Sequence, residues 1–339
     1  VQKVLVIRFS SIGDIVLTTP VLRALKEQAG AEVHFLTKAR FASLLSANPR
    51  IDRLFTLGTP EEAGQSLKEL LPKLRAERYD FVLDLHKNLR SLRTRFYLRR
   101  PTGTFPKLNF RKWLLVHFRW NTLPPIHLVQ RYIRAGRQLG LRYDGKGLEH
   151  FIPKEEEVRI EDFLRLSANA PLIAVAIGGT YATKRLPPEK LAELCTRLPG
   201  QILLLGGPED KAAGEQIAQK DHIINLCGRL SIQQSASVLA QSNLVLAHDT
   251  GMMHIAAALK KPLISIWGNT VPDFGMYPLF PDDMPAFEMR AEVQGLSCRP
   301  CSKLGFDICP KGHFRCMQEQ DLDKILRLTS DFLSENRHL

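Results

Sequence analysis

The chain has 339 residues, 44% of them hydrophobic and 24% charged, with 22 Gly and 21 Pro; these proportions exclude disorder, a collagen-like repeat and a small disulfide scaffold. At about 150 residues per domain, the length implies two domains. The net charge is +12, and up to residue 165 there are 30 basic against 17 acidic residues while beyond it 17 basic meet 18 acidic. The whole excess therefore belongs to one half and implies an anionic partner there, the alternative being a solvated basic surface with no specific partner.

Lys3–Phe9 (KVLVIRF) is a continuous apolar run, followed by the loop Ser10–Asp14 and a helix-period segment to about Gln28. Glu32–Thr37, Ile51–Leu57 and Tyr79–Leu85 read as further strands, with a helix over Glu61–Glu77. Short buried strands that alternate with helices predict a parallel sheet covered on both faces. Residues 86–143 read as largely helical, broken by Pro101, Pro106 and Pro124–Pro125. Between Asp84 and Asp144 there is no acidic residue but there are 14 Lys or Arg, interleaved with Phe96, Tyr97, Trp113, Leu114, Leu115, Phe118 and Trp120. That mixture suits the surface of an anionic membrane, and no RRM, KH or zinc-finger pattern supports nucleic acid. No apolar run reaches the roughly 18–20 residues of a membrane span, and the chain opens on a strand pattern in place of a signal segment. The expected location is cytoplasmic, peripheral to a membrane.

The segment Pro153–Arg165, ending near Asn169–Pro171, reads as the crossing between domains. The pattern then restarts with Leu172–Ile177, Gln201–Leu205, Ile223–Leu226, Asn243–Ala247 and Pro262–Trp267, and closes on a helix over about Glu319–Asn336. The expected division is 1–165, 166–318 and a terminal helical segment 319–339 packing back on the first domain. Two doubly wound α/β domains imply ligand binding in a cleft outside the carboxyl ends of their strands.

Five motifs carry chemistry. In Arg8-Phe9-Ser10-Ser11-Ile12-Gly13-Asp14, Asp14 falls at a helix start that favours its ionised form, as a cap or as a reacting carboxylate; the motif is not GxGxxG, which disfavours a nicotinamide enzyme. Gly178–Pro187 (GGTYATKRLP) offers the hydroxyls of Thr180 and Thr183 and the cation of Lys184 to a polyphosphate, without the P-loop spacing. In Gly206-Gly207-Pro208-Glu209-Asp210 an acid at the sheet edge suits a ribose diol or a helix cap. His248-Asp249-Thr250-Gly251-Met252-Met253-His254 places Thr250 and Gly251 at a helix N-terminus fit for an anion, with Asp249 better matched to sugar hydroxyls and His254 one turn on. Cys298-x2-Cys301-x7-Cys309-x6-Cys316 has the ligand count of a structural zinc site, the alternative being reduced thiols in a folded loop; Cys195 and Cys227 read as core.

With these motifs in place, the chain resembles glycosyltransferase family 9, the lipopolysaccharide heptosyltransferases. The likeness rests on KVLVIRFSSIGDIVLTTPVLRALK (3–26), TKRLP (183–187), LLLGGPED (203–210) and NLVLAHDTGMMHIAAALKKPLISIWG (243–268). It implies a GT-B fold of two Rossmann-like domains facing across a cleft, the first for acceptor and the second for nucleotide-sugar. It further implies inverting transfer with no metal in the chemical step, from ADP-L-glycero-D-manno-heptose to Kdo or heptose on lipid A. On this resemblance Asp14 matches the general base, Thr180 and Lys184 the diphosphate ligands, Glu209 the ribose carboxylate, and Asp249, Thr250, Gly251 and His254 the donor-binding motif. Ser10, Arg90, Arg93, Arg111 and Lys112 are the expected acceptor contacts, the basic residues holding its phosphates and carboxylates at the inner membrane surface. A transferase or epimerase of another nucleotide-sugar, and a non-catalytic RNA- or membrane-binding protein using the basic arm 86–142, are the rival readings.

Overall fold

The computed structural model describes residues 2–163, 170–284 and 287–335. The chain forms two compact units, Val1–Lys107 with Ile126–Pro153, and Leu108–Pro125 with Lys154–Leu339.

The first unit is a five-stranded parallel sheet built from β1 (Lys3–Ile7), β2 (Glu32–Lys38), β3 (Arg53–Leu57), β4 (Phe81–Asp84) and β5 (Thr102–Thr104), in the order β3-β2-β1-β4-β5. Its helices are α1 (Ile12–Val16), α2 (Thr19–Glu27), α3 (Leu67–Ala76), α4 (Leu89–Leu98) and α6 (Leu128–Ala135), while the intervening α5 (Asn109–Phe118) clusters with the other unit. Val4, Leu5, Val6 and Ile7 are wholly buried, as a strand covered on both faces requires. Each such side chain contributes roughly 1.5–3 kcal/mol relative to exposure. The predicted helix over Glu61–Glu77 begins only at Leu67, because Pro60–Glu62 forms a separate 3₁₀ turn and Ser66 caps α3, accepting from the Glu69 amide at 3.3 Å.

The second unit is a six-stranded parallel sheet of β6 (Leu172–Ala176), β7 (Gln201–Leu205), β8 (Ile223–Asn225), β9 (Leu244–His248), β10 (Leu263–Trp267) and β11 (Glu288–Glu292), in the order β11-β10-β9-β6-β7-β8. Its further helices are α7 (Pro188–Arg197), α8 (Lys211–Ile217), α9 (Ile232–Gln241), α10 (Gly251–Ala258), α11 (Arg315–Gln318) and α12 (Leu322–Glu335). In both units the first strand lies between the second and the fourth, the dinucleotide-fold order, so each sheet has a switch point beside its first strand where loops diverge and ligands bind.

Two expectations about organisation are corrected. Helix α12 packs on its own unit: Leu322 and Ile325 are buried in a core with Leu191, Leu194 and Ile264, and the helix touches α7 and β11. Residues 108–125, expected in the first domain, belong to the second unit, because Arg119 donates to the carbonyls of Ser297 (2.8 Å) and Pro300 (3.1 Å) and Asn121 donates to Asp273 (2.6 Å). The expected crossing falls partly on residues 164–169, outside the described residues.

Candidate active site

In the first unit the switch point lies between β1 and β4, which pair from Val4↔Phe81 to Ile7↔Asp84. The loop leaving β1 enters α1 with Ser11 as N-cap and Asp14 as the third helical residue. The Asp14 carboxylate takes the Ser11 hydroxyl at 2.8 Å and the Ser11 amide at 3.2 Å on one oxygen. Its other oxygen meets the Arg8 guanidinium at 2.6 Å. Arg8 in turn donates to the carbonyls of Ser10 (2.8 Å) and Leu85, so one side chain links the loops after β1 and β4. The carboxylate is 19% exposed: fixed, charged and reachable. Ser10 is half-buried beside it and serves through its carbonyl.

His86, which follows β4, was not singled out from sequence. It stacks edge-on against Phe9 at 5.1 Å, and its Nδ1 is buried without a partner among the described residues. Burial, with the nearby cations of Arg8 and Lys107, pushes its imidazole down to about 4. It is therefore neutral at physiological pH. Asp84, wholly buried, accepts from the amides of His86 and Lys87 and from the Ser91 hydroxyl, and so shapes the turn from β4 into α4.

In the second unit the switch point lies between β6 and β9, which pair from Ile173↔Leu244 to Ala176↔Ala247. The loops that leave these strands carry two of the predicted motifs and meet in an ion pair: Lys184 Nζ lies 2.6 Å from the Asp249 carboxylate and donates to the Asp249 carbonyl at 3.1 Å. Thr270, after β10, donates to the same carboxylate at 2.7 Å. Thr250 caps α10, and its hydroxyl is buried without a partner among the described residues. Gly179 passes so close that a Cβ there would sit 2.9 Å from the Thr250 methyl group, which holds the two loops together. Gly251 opens α10, and His254 is buried one turn further on. Thr180 is exposed at the loop tip. Bare helix amides, an orphan hydroxyl and an ammonium around one sheet edge are what an oxyanion-rich ligand requires.

The acids after β7 divide their work. Asp210 is buried, accepts from the Gly207 amide at 2.9 Å and pairs with Arg185 at 3.0 Å; it holds the loop. Glu209 is exposed, which leaves its carboxylate available to a ligand.

Three expectations fare differently. Thr183 is 2% exposed, and its hydroxyl is engaged with Phe306, donating to the carbonyl at 3.0 Å and accepting from the amide at 2.8 Å; it bolts the Cys-rich loop to the Lys184 loop. Arg111 and Lys112 lie on α5 with the second unit, where Arg111 donates to Thr122 (2.9 Å) and Lys112 covers the Phe274 ring at 5.5 Å; only Arg90 and Arg93, exposed on α4, remain with the first unit. Among the described residues no three of Cys298, Cys301, Cys309 and Cys316 bring their sulfurs within 4.8 Å of one another. The Cys301 thiol donates to the Cys298 carbonyl at 3.0 Å, and burial, with the neighbouring thiols close by, pushes Cys301 up to about 11 and Cys316 up to about 12. Cys195 and Cys227 are buried in the core, as expected.

Asn269, after β10, was also missed. It is 1% exposed, and both atoms of its amide lack partners among the described residues.

Two Rossmann-like sheets, each with its polar residues gathered at the switch point of the carboxyl edge, define a GT-B glycosyltransferase. Residues 67–287 match glycosyltransferase family 9 (heptosyltransferase), and the chain belongs to that family. It is 28% identical over 301 residues to lipopolysaccharide heptosyltransferase 2 of Salmonella typhimurium, covering 80% of this chain and 84% of that one. It is 26% identical over 323 residues to lipopolysaccharide heptosyltransferase 1 of Pseudomonas aeruginosa, covering 89% and 86%. Among solved structures, a family 9 glycosyltransferase from Veillonella parvula superposes with a TM-score of 0.77 at 21% identity, over 99% of this chain and 98% of that one. The ADP-heptose heptosyltransferase II of Escherichia coli gives 0.72 at 21%, over 98% and 99%.

Proposed function

We propose that this glycosyltransferase transfers a heptose, with inversion, from ADP-L-glycero-D-manno-heptose to the Kdo/heptose inner core of lipopolysaccharide, with Asp14 as general base and no metal in the chemical step. The observation that carries the reading is the pair of switch points: a clamped, partly exposed carboxylate in one unit, and in the other a lysine, a helix N-terminus and a hydroxyl with no partner among the described residues. Relatives that align with 80% and 89% of this chain are lipopolysaccharide heptosyltransferases, which supports the substrate class.

In this reaction an acceptor hydroxyl attacks the anomeric carbon from the face opposite the leaving group. The new C–O bond forms as the sugar–phosphate bond breaks, the electron pair leaves with ADP, and the hydroxyl proton passes to Asp14. A sugar hydroxyl is a far weaker acid than a carboxylic acid, so the proton moves late, as the bond forms. Charge that develops on the diphosphate is met by Lys184, Thr180 and the amides of Thr250 and Gly251 at the start of α10. Lys184 then exchanges part of its pairing with Asp249 for the phosphate, which frees Asp249 for sugar hydroxyls. Glu209 takes the ribose diol, and His254 lines the donor site.

Helix α5 supports placement at the cytoplasmic surface of the inner membrane. Phe110, Trp113, Phe118 and Trp120 are 69%, 45%, 52% and 65% exposed and form a continuous aromatic row, with ring centroids 6.0, 5.3 and 5.8 Å apart in sequence. Exposed Arg111 and Arg119 lie among them. Aromatic rings beside guanidinium groups suit an anionic lipid interface, and among the described residues no helix is long and apolar enough to cross a membrane.

A screen of ADP-, GDP-, UDP- and dTDP-sugars for thermal stabilisation, followed by mass spectrometry with lipid A–Kdo acceptors, tests the reading. Selective stabilisation by ADP-heptose and a mass gain of one heptose are expected. Stabilisation by another nucleotide-sugar would move the assignment to that donor, and nucleic-acid binding with indifference to all four would replace it.

A further inference from the structure

We propose that Lys38, Arg40 and Arg90 of the first unit form an anion pocket that takes a phosphomonoester. The pocket has a volume of about 370 Å³ and is lined by these three cations together with Leu57, Gly58, Thr59, Glu62 and Leu67. Lys38 ends β2 and Arg90 lies in the first turn of α4, after β4. β2 and β4 flank β1, whose following loop carries Asp14, so the pocket opens on the same edge of the sheet as the carboxylate.

Three like charges gathered around a single carboxylate are unfavourable unless a ligand balances them. The neighbouring Arg95 pairs with Asp84 at 3.6 Å, whereas among the described residues Lys38, Arg40 and Arg90 have no ion pair. Burial, with the guanidinium groups of Arg40 and Arg90 close by, lowers the Lys38 ammonium below its ordinary value. Glu62 supplies one negative charge at the rim, leaving an excess of two positive charges. A phosphomonoester carries about −1.5 to −2 at neutral pH, which matches that excess better than a single carboxylate does. The wall is built to stay open: a Cβ on Gly58 would lie 2.9 Å from the Glu62 carboxylate and 3.0 Å from the Ala39 side chain, and a Cβ on Gly64 would lie 2.5 Å from the Gly58 backbone. Only glycine allows this close return of the chain. Thr59 also lines the pocket, its side chain hydrogen-bonded to the Glu61 carboxylate.

That the phosphate belongs to the glycolipid acceptor rests on the transferase reading; the pocket itself does not. Calorimetry on the full-length protein with inorganic phosphate as probe tests the pocket. With ADP at saturation to occupy the oxyanion site of the second unit, one equivalent is expected to bind, and Lys38→Ala/Arg90→Ala is expected to weaken it at least tenfold, whereas Arg90→Lys retains most of the affinity and the exposed Arg134→Ala leaves it unchanged. The absence of phosphate binding, or equal binding by the double variant, overturns the proposal. Transfer kinetics then identify the source. If the acceptor supplies the phosphate, the double variant raises KM about tenfold for the phosphorylated acceptor with kcat retained, and leaves KM for phosphatase-treated acceptor unchanged. Unchanged KM for both, with phosphate binding lost, assigns the pocket to a free phosphorylated ligand. A wild-type protein that binds phosphate but transfers no sugar refutes the transferase reading and not the pocket.

Discussion

The Arg8 guanidinium lies 2.6 Å from one oxygen of Asp14 while the Ser11 hydroxyl lies 2.8 Å from the other. The carboxylate proposed as base is thus held from two sides, by a cation anchored to the loops after β1 and β4 and by the cap of its own helix. Arg8 is a positioning residue in this account. Its replacement frees the carboxylate to move, and a displacement of about 1 Å is enough to cost on the order of 100-fold in rate. Arg8→Gln is expected to lower kcat about 10–100-fold with ADP affinity unchanged, and to move the acid limb of the pH–rate profile to higher pH, because the carboxylate loses its cation. Arg8→Lys is expected to recover part of both. An unchanged acid limb would assign Arg8 to packing alone.

The contrast between two threonines three residues apart gives a second expectation. Thr183 is buried against Phe306, whereas Thr180 is exposed. Thr183→Val leaves the Phe306 amide without its partner, while the Phe306 carbonyl keeps the backbone amide of residue 183 at 3.0 Å, and is expected to cost about 1–3 kcal/mol of stability. Thr180→Val is expected to leave the melting temperature within error and to weaken ADP binding. A reversal of these effects, measured by thermal melts and calorimetry, would exchange the two roles.

Much of this was legible in the chain. The apolar runs KVLVI, LIAVA, QILLL, LVLAH and LISIW are the strands β1, β6, β7, β9 and β10, since a strand buried on both faces must be apolar throughout. Asp14, Lys184, Asp249 and Thr250 stand out as candidates because they sit in loops leaving such strands. The edge strands β5 (TGT) and β11 (EMRAE) carry no such run, one being three residues with a central glycine and the other largely polar. Nor could pattern reveal that Thr183 is bonded to a residue 123 positions away, that Leu85 and Asp14 share Arg8, or that α5 leaves the unit on either side of it in sequence. Those facts depend on which loops meet, and local periodicity says nothing of that.

The Lys184–Asp249 pair predicts a specific response to truncation. Lys184→Ala removes the ammonium and leaves the Asp249 carboxylate facing the phosphate site, so ADP affinity is expected to fall at least tenfold, and Lys184→Ala/Asp249→Asn is expected to recover part of it as the repulsion is removed. Equal affinity for wild type and Lys184→Ala by calorimetry would exclude Lys184 from the diphosphate site.

His248 gives a pH dependence. It is 1% exposed, and its Nε2 accepts from the Leu186 amide at 3.0 Å; burial pushes it down to about 4 from the ordinary 6.5. Because the folded value is the lower one, the unfolded chain binds the proton first as the pH falls. The stabilising contribution is therefore complete above about pH 6.5 and is lost on acidification towards pH 4, by about 3 kcal/mol. His248→Gln, which retains an acceptor for Leu186, is expected to flatten the stability profile between those limits relative to wild type. Parallel profiles in urea unfolding at stepped pH would show that His248 does not titrate in this way.

The central claim is that Asp14 removes the acceptor proton and does nothing for donor binding. Asp14→Asn keeps the shape and the Ser11 cap while abolishing the base, so the decisive measurement is transfer rate and ADP affinity on the same Asp14→Asn preparation. The account predicts transfer at least 1,000-fold below wild type with ADP binding within twofold of it; transfer within tenfold of wild type, at unchanged ADP affinity, would contradict it.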